Sequence, residues 1–178
     1  MQVKVNRNYF WSTTLIDQLV ECGVKYACIS PGSRSTLLTY AVSQNKKIKS
    51  YIIVDERTSG FFALGIAKQT KSPVLIITTS GTATAELYPS IIEAYQNRVP
   101  LIICTADRPA YLRNTGANQT INQDNIYKNH IRFFYDTGLP KLAAKNIKSL
   151  KENIVKAFKI SWLQDCGPVH LNFPFEKP

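Results

Sequence analysis

Ser50-Tyr51-Ile52-Ile53-Val54-Asp55-Glu56-Arg57-Thr58-Ser59-Gly60-Phe61-Phe62-Ala63-Leu64-Gly65-Ile66-Ala67 is the stretch on which the reading of this chain turns. It opens on a short apolar run, Tyr51 to Val54, rich in β-branched residues and therefore strand-like. It becomes polar at Asp55, Glu56 and Arg57. A helix-like pattern follows, in which Gly60, Ala63 and Gly65 interleave with Phe61, Phe62, Leu64 and Ile66. A carboxylate where a strand hands over to a helix sits at the carboxyl end of a sheet, the edge at which open α/β sheets bind ligands. The small residues would let that helix pack close to another backbone. Glu56 is therefore the candidate chemical residue. The plainer alternative is that Asp55 and Glu56 only cap and charge a helix N-terminus.

Outward from this step, strands and helices alternate. A helix is expected over Ser12 to Cys22, with Ser12 or Thr13 as its cap and Gly23 as its stop. The strand Tyr26 to Ser30 and the helix Ser35 to Gln44 come before the central stretch, and a helix from about Thr58 to Gln69 belongs to it. Pro73 opens the strand Val74 to Thr78. A helix Ala83 to Gln96 follows, kinked by Pro89. Then come the strand Leu101 to Thr105, a long loop to about Thr120, a short helix Gln123 to Asn129 and the strand Ile131 to Tyr135. The helix Leu142 to Gln164 and the strand Val169 to Phe173 end the series. Continuous apolar strands alternating with helices predict an α/β fold: three layers, with a mostly parallel sheet covered by helices on both faces. The chain reads as a single domain over 1–178, with 174–178 the start of a linker.

With 178 residues, 44% of them hydrophobic, the chain is long and apolar enough for a sizeable core. No apolar run approaches the roughly 20 residues of a membrane helix. No signal peptide is read at the N-terminus, so a cytoplasmic location is the default expectation. Cys22, Cys28, Cys104 and Cys166 are scattered and read as reduced thiols, not as a zinc site or a disulfide frame. The net charge of +10 fits nucleic acid, anionic small substrates or a missing acidic remainder of a longer chain. Lys141, Lys145, Lys148, Lys151, Lys156 and Lys159 fall on one expected helix opposite an apolar stripe. No nucleic-acid motif accompanies them, and a solvated helix face explains them most simply.

Four strand ends carry loops suited to chemistry. Ser30-Pro31-Gly32-Ser33-Arg34-Ser35 offers a tight turn, a hydroxyl, a fork-shaped cation and a helix N-terminus, which together suit a carboxylate or phosphate. Asp55-Glu56-Arg57 is the second. Thr79-Ser80-Gly81-Thr82-Ala83 is the third, and simple capping would also explain it. Ala106-Asp107-Arg108-Pro109, followed by Gly116-Ala117-Asn118-Gln119, joins a strand end to a loop bearing two amides. An anion-recognising loop fits, as does a surface loop whose arginines pair with Asp107 and Asp124. His130 and His170 stand in no catalytic or metal spacing, and His170 reads as a core histidine.

Taken together and in this order, the four loops resemble the N-terminal domain of 2-succinyl-5-enolpyruvyl-6-hydroxy-3-cyclohexene-1-carboxylate synthases, thiamine-diphosphate enzymes of menaquinone biosynthesis. The closing Gly167-Pro168-Val169-His170-Leu171-Asn172-Phe173-Pro174 is similar to the end of pyrimidine-binding domains in thiamine-diphosphate enzymes generally. The resemblance covers about Ser12 to Pro174. It implies that Glu56 hydrogen-bonds the aminopyrimidine of thiamine diphosphate and favours the tautomer that activates the thiazolium carbon. It implies that such a carboxylate is desolvated. It places Pro31 and Thr79 in the pyrimidine pocket. It assigns Ser33, Arg34, Arg108, Asn118 and Gln119 to the carboxylates of 2-oxoglutarate and isochorismate. The family holds Mg²⁺ and the cofactor pyrophosphate through a Gly-Asp-Gly motif, and no Gly-Asp-Gly occurs here. The metal ligands are thus expected in another domain, and the half-site is expected to face the pyrophosphate-binding domain of a partner subunit in a homo-oligomer. The 178 residues alone are expected to fold without catalysing. The rival readings are another thiamine-diphosphate enzyme such as an acetolactate synthase or a decarboxylase, a stand-alone binding module, and a basic nucleic-acid binder.

Overall fold

The computed structural model describes residues 6–176. The expectations for residues 1–5 and for 177–178 lie outside them. The elements are α1 (Arg7–Cys22), β1 (Tyr26–Ile29), α2 (Thr36–Gln44), β2 (Lys49–Ile52), α3 (Glu56–Thr70), β3 (Val74–Thr78), α4 (Thr82–Glu86), α5 (Tyr88–Gln96), β4 (Leu101–Asp107), β5 (Phe133–Asp136), α6 (Ala144–Lys159) and β6 (Pro168–Pro174). The strands form one six-stranded sheet in the order β2-β1-β3-β4-β6-β5. Every pairing is parallel.

The inner strands bury both faces, so their side chains sort by alternation. Ala27, Ile29, Leu75, Ile77, Ile102 and Cys104 pack on one side with residues of α1, α2 and α6. Cys28, Val74, Ile76, Leu101 and Ile103 pack on the other with residues of α3 and α5. These are the three layers that the apolar runs predict.

Boundaries differ where a local interaction outweighs the pattern. α1 begins one to two turns before Ser12, because the Asn6 side chain caps it by accepting from the Tyr9 N–H at 3.1 Å. Ser12 and Thr13 lie inside the helix and donate back to carbonyls one turn earlier. The helix expected over 83–96 is two, because Pro89 stands in the first turn of α5 and the chain breaks at Leu87. The helix expected over 123–129 is a series of turns ending in a 3₁₀ turn at Lys128–His130. Its polar residues turn inward or cap one another instead of forming a stripe. α6 starts at Ala144, so Lys141 precedes it, and a turn of π-helix, Ile160–Gln164, follows it.

The central strand differs most. β2 ends at Ile52 and forms an edge of the sheet, where Ile52 is 59% and Val54 83% exposed. Its apolar run is surface, not core. At the other terminus, Pro174 belongs to β6, and Phe175 is buried with its N–H donating to the Asp107 carbonyl at 3.1 Å. Residues 174 and 175 are therefore part of the packed domain and not linker.

Candidate active site

The chain leaves β1 for β2 on one side and returns to β3 on the other, so the carboxyl ends of β1 and β3 flank a topological switch point. The Pro31-Gly32 loop and the Thr79-Ser80-Gly81 turn meet there. Gly32 lies so close to Thr79 that a methyl group on it would stand 2.6 Å from Thr79 Cγ2. Only a residue without a side chain permits that approach. The Ser30 hydroxyl donates to the Ile53 carbonyl at 2.8 Å and ties the exit of β1 to that of β2.

Beyond that tie stand Asp55 and Glu56. Asp55 caps α3: its carboxylate accepts from the Thr58 N–H at 2.7 Å, and this bond holds its pKa below the ordinary value. Glu56 is the first residue of the helix and is half-buried. Its carboxylate has no hydrogen-bond or ion-pair partner among the described residues. Capping thus accounts for Asp55, and Glu56 is the acid in the first turn of α3, as the plainer alternative has it; its carboxylate stays open to a further partner. Glu56 is not sealed from solvent in this chain by itself.

The loop after β4 closes over the next strand end. The Arg108 guanidinium donates to Ser80 Oγ at 2.8 Å and to the Asn118 carbonyl at 3.4 Å. Ser80 Oγ in turn donates to the Gln119 carbonyl at 2.9 Å, and Gln119 Nε2 returns a bond to the Ser80 carbonyl at 3.1 Å. Gln119 takes a left-handed backbone, φ 55°, and its backbone packs on Gly81, whose own φ of 82° favours glycine. Arg108, Asn118 and Gln119 are therefore held against the β3 turn through Ser80; the capping expected of that turn does not form, since Gly81 is the N-cap of α4 and no side chain caps it. Arg34 donates to the Phe175 carbonyl at 2.9 Å. Burial, and then the charge of Arg108, pull its pKa below the ordinary value. Neither Arg34 nor Arg108 has a carboxylate within ion-pair reach among the described residues. Ser33 begins the short turn before α2 and is exposed, as are Pro31, Asn118 and Gln119.

Only the pairing of an arginine with Asp107 is foreshadowed in the sequence; the rest of the network behind this loop is not. Arg113 Nη2 bridges Asp107 Oδ2 at 2.8 Å and Asp136 Oδ2 at 3.1 Å. Asn172 Nδ2 donates to the same two oxygens, each at 3.0 Å. Asn172 Oδ1 accepts from Thr105 Oγ1 and Gln123 Nε2 at 2.8 and 2.9 Å. Since the Thr105 hydroxyl donates there, it must accept from His170 Nε2, 2.7 Å away. His170 is fully buried, and burial lowers its pKa to about 3, so it is a neutral core histidine. Of the arginine pairings weighed from sequence, Arg113 with Asp107 forms. Asp124 pairs with neither arginine. Among the described residues no group of three or more His, Cys, Asp or Glu side chains is placed to hold a metal. A pocket of about 490 Å³, lined by Pro31, Gly32, Thr36, Thr39, Tyr40 and Ser43, opens beside the switch point.

A doubly wound parallel sheet with small-residue loops and an uncommitted carboxylate at its carboxyl edge defines an α/β ligand-binding domain. Residues 11–126 match the family described as "Thiamine pyrophosphate enzyme, N-terminal TPP binding domain". The chain belongs to that family. Among curated relatives, 2-succinyl-5-enolpyruvyl-6-hydroxy-3-cyclohexene-1-carboxylate synthase of Lysinibacillus sphaericus is 49% identical over 164 residues, 92% of this chain and 29% of that protein. The proteins of the same name from Halobacterium salinarum and Trichodesmium erythraeum are 45% and 44% identical over 97% and 96% of this chain. The chain spans about 30% of the length of the curated relatives it matches.

Proposed function

We propose that this domain supplies the pyrimidine-side half of the active site of a thiamine-diphosphate-dependent 2-succinyl-5-enolpyruvyl-6-hydroxy-3-cyclohexene-1-carboxylate synthase. The observation that carries the proposal is Glu56: it follows the carboxyl end of β2, next to β1, with Asp55 doing the capping and its own carboxylate uncommitted. The relatives' shared name favours this reading over an acetolactate synthase, a stand-alone module or a nucleic-acid binder.

The residues present fit the cofactor's pyrimidine end. Gly32 and Thr79 meet at van der Waals contact, Pro31 is exposed beside them, and Glu56 follows the adjacent strand. When bound, thiamine diphosphate supplies the carbon nucleophile and the electron sink for decarboxylating a 2-oxo acid. Glu56 would accept a hydrogen bond from the pyrimidine ring and hold the shared proton at its carboxylate. Pro31 and Thr79 would wall the ring. Arg34 and Arg108 would bind the carboxylates of 2-oxoglutarate and isochorismate by charge-assisted bonds, with Ser33, Asn118 and Gln119 adding hydroxyl and amide contacts. Mg²⁺ would be held by oxygen ligands outside the described residues, since a divalent ion needs several and no such cluster is found among these.

Val54, Phe61 and Phe62 are exposed beside Glu56, and Arg57, Thr58, Phe61 and Phe62 line a second pocket of about 410 Å³. This apolar surface suits the pyrophosphate-binding domain of a partner subunit in a homodimer, whose docking would exclude water from Glu56. The free cysteines suit the cytoplasm.

Glu56→Gln in the holoenzyme tests the assignment. The amide keeps the shape but is a poor proton partner, so turnover should fall by about 10²–10⁴-fold. The melting temperature should not move. Thiazolium-proton exchange followed by NMR should slow in parallel; exchange at the wild-type rate would sink the role given to Glu56.

A further inference from the structure

Gln123 sits in the irregular segment between β4 and β5 and is completely buried. Its Oε1 accepts the Gly81 N–H at 2.9 Å. Its Nε2 donates to the Ala106 carbonyl at 3.2 Å and to Asn172 Oδ1 at 2.9 Å. One side chain thus joins three strand ends: the turn after β3, the end of β4 and the end of β6. The amide admits only one orientation, because a backbone N–H faces one end and two acceptors face the other. Asn172 is fixed by the same logic, accepting from Thr105 and Gln123 and donating to Asp107 and Asp136.

We infer that Gln123 is a positioning residue that sets the placement of Arg108 and Gln119 across the crevice. The path is short. Gly81 follows Ser80, and Ser80 Oγ receives Arg108 Nη1 and holds the Gln119 carbonyl. Asp107, at the far side of the network, accepts from the Arg108 backbone N–H at 2.7 Å. Gln123 therefore fixes the platform that orients the guanidinium, while the Asp107 network fixes the backbone that carries it. Gln123 reaches neither Arg108 nor Gln119 itself, so its effect is on their aim and not on their charge. The inference rests on the assignment of Arg108 and Gln119 to substrate carboxylates.

The test compares Gln123→Met, which keeps the shape and loses every polar contact, with Gln123→Glu, which keeps an acceptor for Gly81 but loses both donated bonds. Arg108→Ala serves as control. Steady-state kinetics on the holoenzyme are read beside amide hydrogen exchange of the segment 79–83. For Gln123→Met, kcat/KM for the dicarboxylates should fall by about 10²-fold, mainly through KM, because a small misplacement of a binding group is enough. For Arg108→Ala, thiamine-diphosphate affinity should stay within about threefold of wild type, since binding of the cofactor does not depend on the guanidinium. In Gln123→Met, exchange in 79–83 should accelerate, with Gln123→Glu intermediate. If Arg108→Ala raises KM and Gln123→Met does not, the inference is overturned. If Arg108→Ala leaves KM unchanged, the assignment of the site falls, and exchange then decides: an unaccelerated 79–83 segment overturns the role of Gln123 as well. If both variants fail to fold, Gln123 serves the fold alone, and the proposal is equally overturned.

Discussion

Replacing Gly32 with alanine is the sharpest probe of the crevice. Gly32 has an extended backbone, φ −162°, which any residue adopts, so the whole penalty of Gly32→Ala is contact. The new methyl would stand 2.6 Å from Thr79 Cγ2 and 2.8 Å from Thr79 Oγ1, with Thr79 Cβ nearer still. Comfortable carbon contacts lie at about 3.5–4.0 Å, so the two loops must separate by about 1 Å. Thr79 is 5% exposed and cannot swing into solvent. Overpacking of this kind costs about 1–3 kcal/mol. At about 2–4 °C per kcal/mol for a chain of this size, the melting temperature should fall by about 2–12 °C. The assay is thermal unfolding in a double-mutant cycle. Thr79→Ala removes Cγ2 and Oγ1 but leaves the closest atom, so it should rescue Gly32→Ala only in part. Thr79→Gly removes all three and should rescue it with a coupling of about 1–2 kcal/mol, of the size found between touching residues. An unchanged melting temperature for Gly32→Ala, or strict additivity with Thr79→Gly, would refute the close approach and with it the shape of the crevice.

In the holoenzyme, Arg34→Ala and Arg108→Ala should each cost about 1.5–3 kcal/mol in kcat/KM for the dicarboxylates, the worth of a hydrogen bond to a charged group, with thiamine-diphosphate affinity measured by calorimetry little changed. Gly65→Ala should act in the opposite direction from Gly32→Ala: Gly65 is exposed within α3 with nothing near its missing side chain, so the change should stabilise the domain by about 0.5–1 kcal/mol in chemical denaturation. His170 titrates at about 3 folded against an ordinary 6.5. The unfolded chain therefore binds the extra proton between these values, stability is complete above about 6.5 and falls with pH toward 3, and at pH 5 the loss from this group is about 2 kcal/mol. His170→Gln should flatten that slope by up to one proton in denaturation curves run across this window.

How far the sequence reaches depends on what kind of interaction makes each part. The inner strands were legible because an apolar run buried on both faces leaves no other reading; Val74–Thr78 is found where the sequence places it. The run from Tyr51 to Val54 looks the same by composition, yet it forms an edge with Ile52 and Val54 in solvent. Apolarity records that a surface is covered, and for a domain proposed to dock against a partner the cover need not lie in the same domain. Gly60 and Gly65 carry the same letter in one helix; Gly60 abuts Ser90 of α5 and Gly65 meets nothing. Helical spacing cannot distinguish them, because the difference lies in where another helix crosses. The strand-end loops were legible as turns followed by helix starts. Ser80, Gln123 and Asn172 were not, because their roles depend on pairings between strand ends distant in sequence.

Those hidden residues also explain why Arg34 and Arg108 keep their guanidiniums clear of ion pairs. Asp107 precedes Arg108 in sequence and would be expected to quench it. Its carboxylate is instead fully committed, to Arg113 and Asn172 through Oδ2 and to the Arg108 backbone N–H through Oδ1. Arg113 answers Asp107 and Asp136 together, and an ion pair this buried is stable only when its remaining lone pairs are filled, which Asn172 and Gly138 do. Asp107 and Asp136 are thereby engaged from behind, within the fold, and only partly compensated by the one guanidinium of Arg113. Arg108 then keeps only neutral partners, Ser80 and the Asn118 carbonyl, and Arg34 keeps only the Phe175 carbonyl. Burial first, and then the charge of Arg108, lower the Arg34 pKa, while Asp107 opposes them only in part; two guanidiniums without an ion-paired carboxylate among the described residues suit an anion. A dianionic substrate would relieve that repulsion on binding, so the dicarboxylate preference proposed for this site would follow from where Asp107 spends its lone pairs as much as from the arginines themselves.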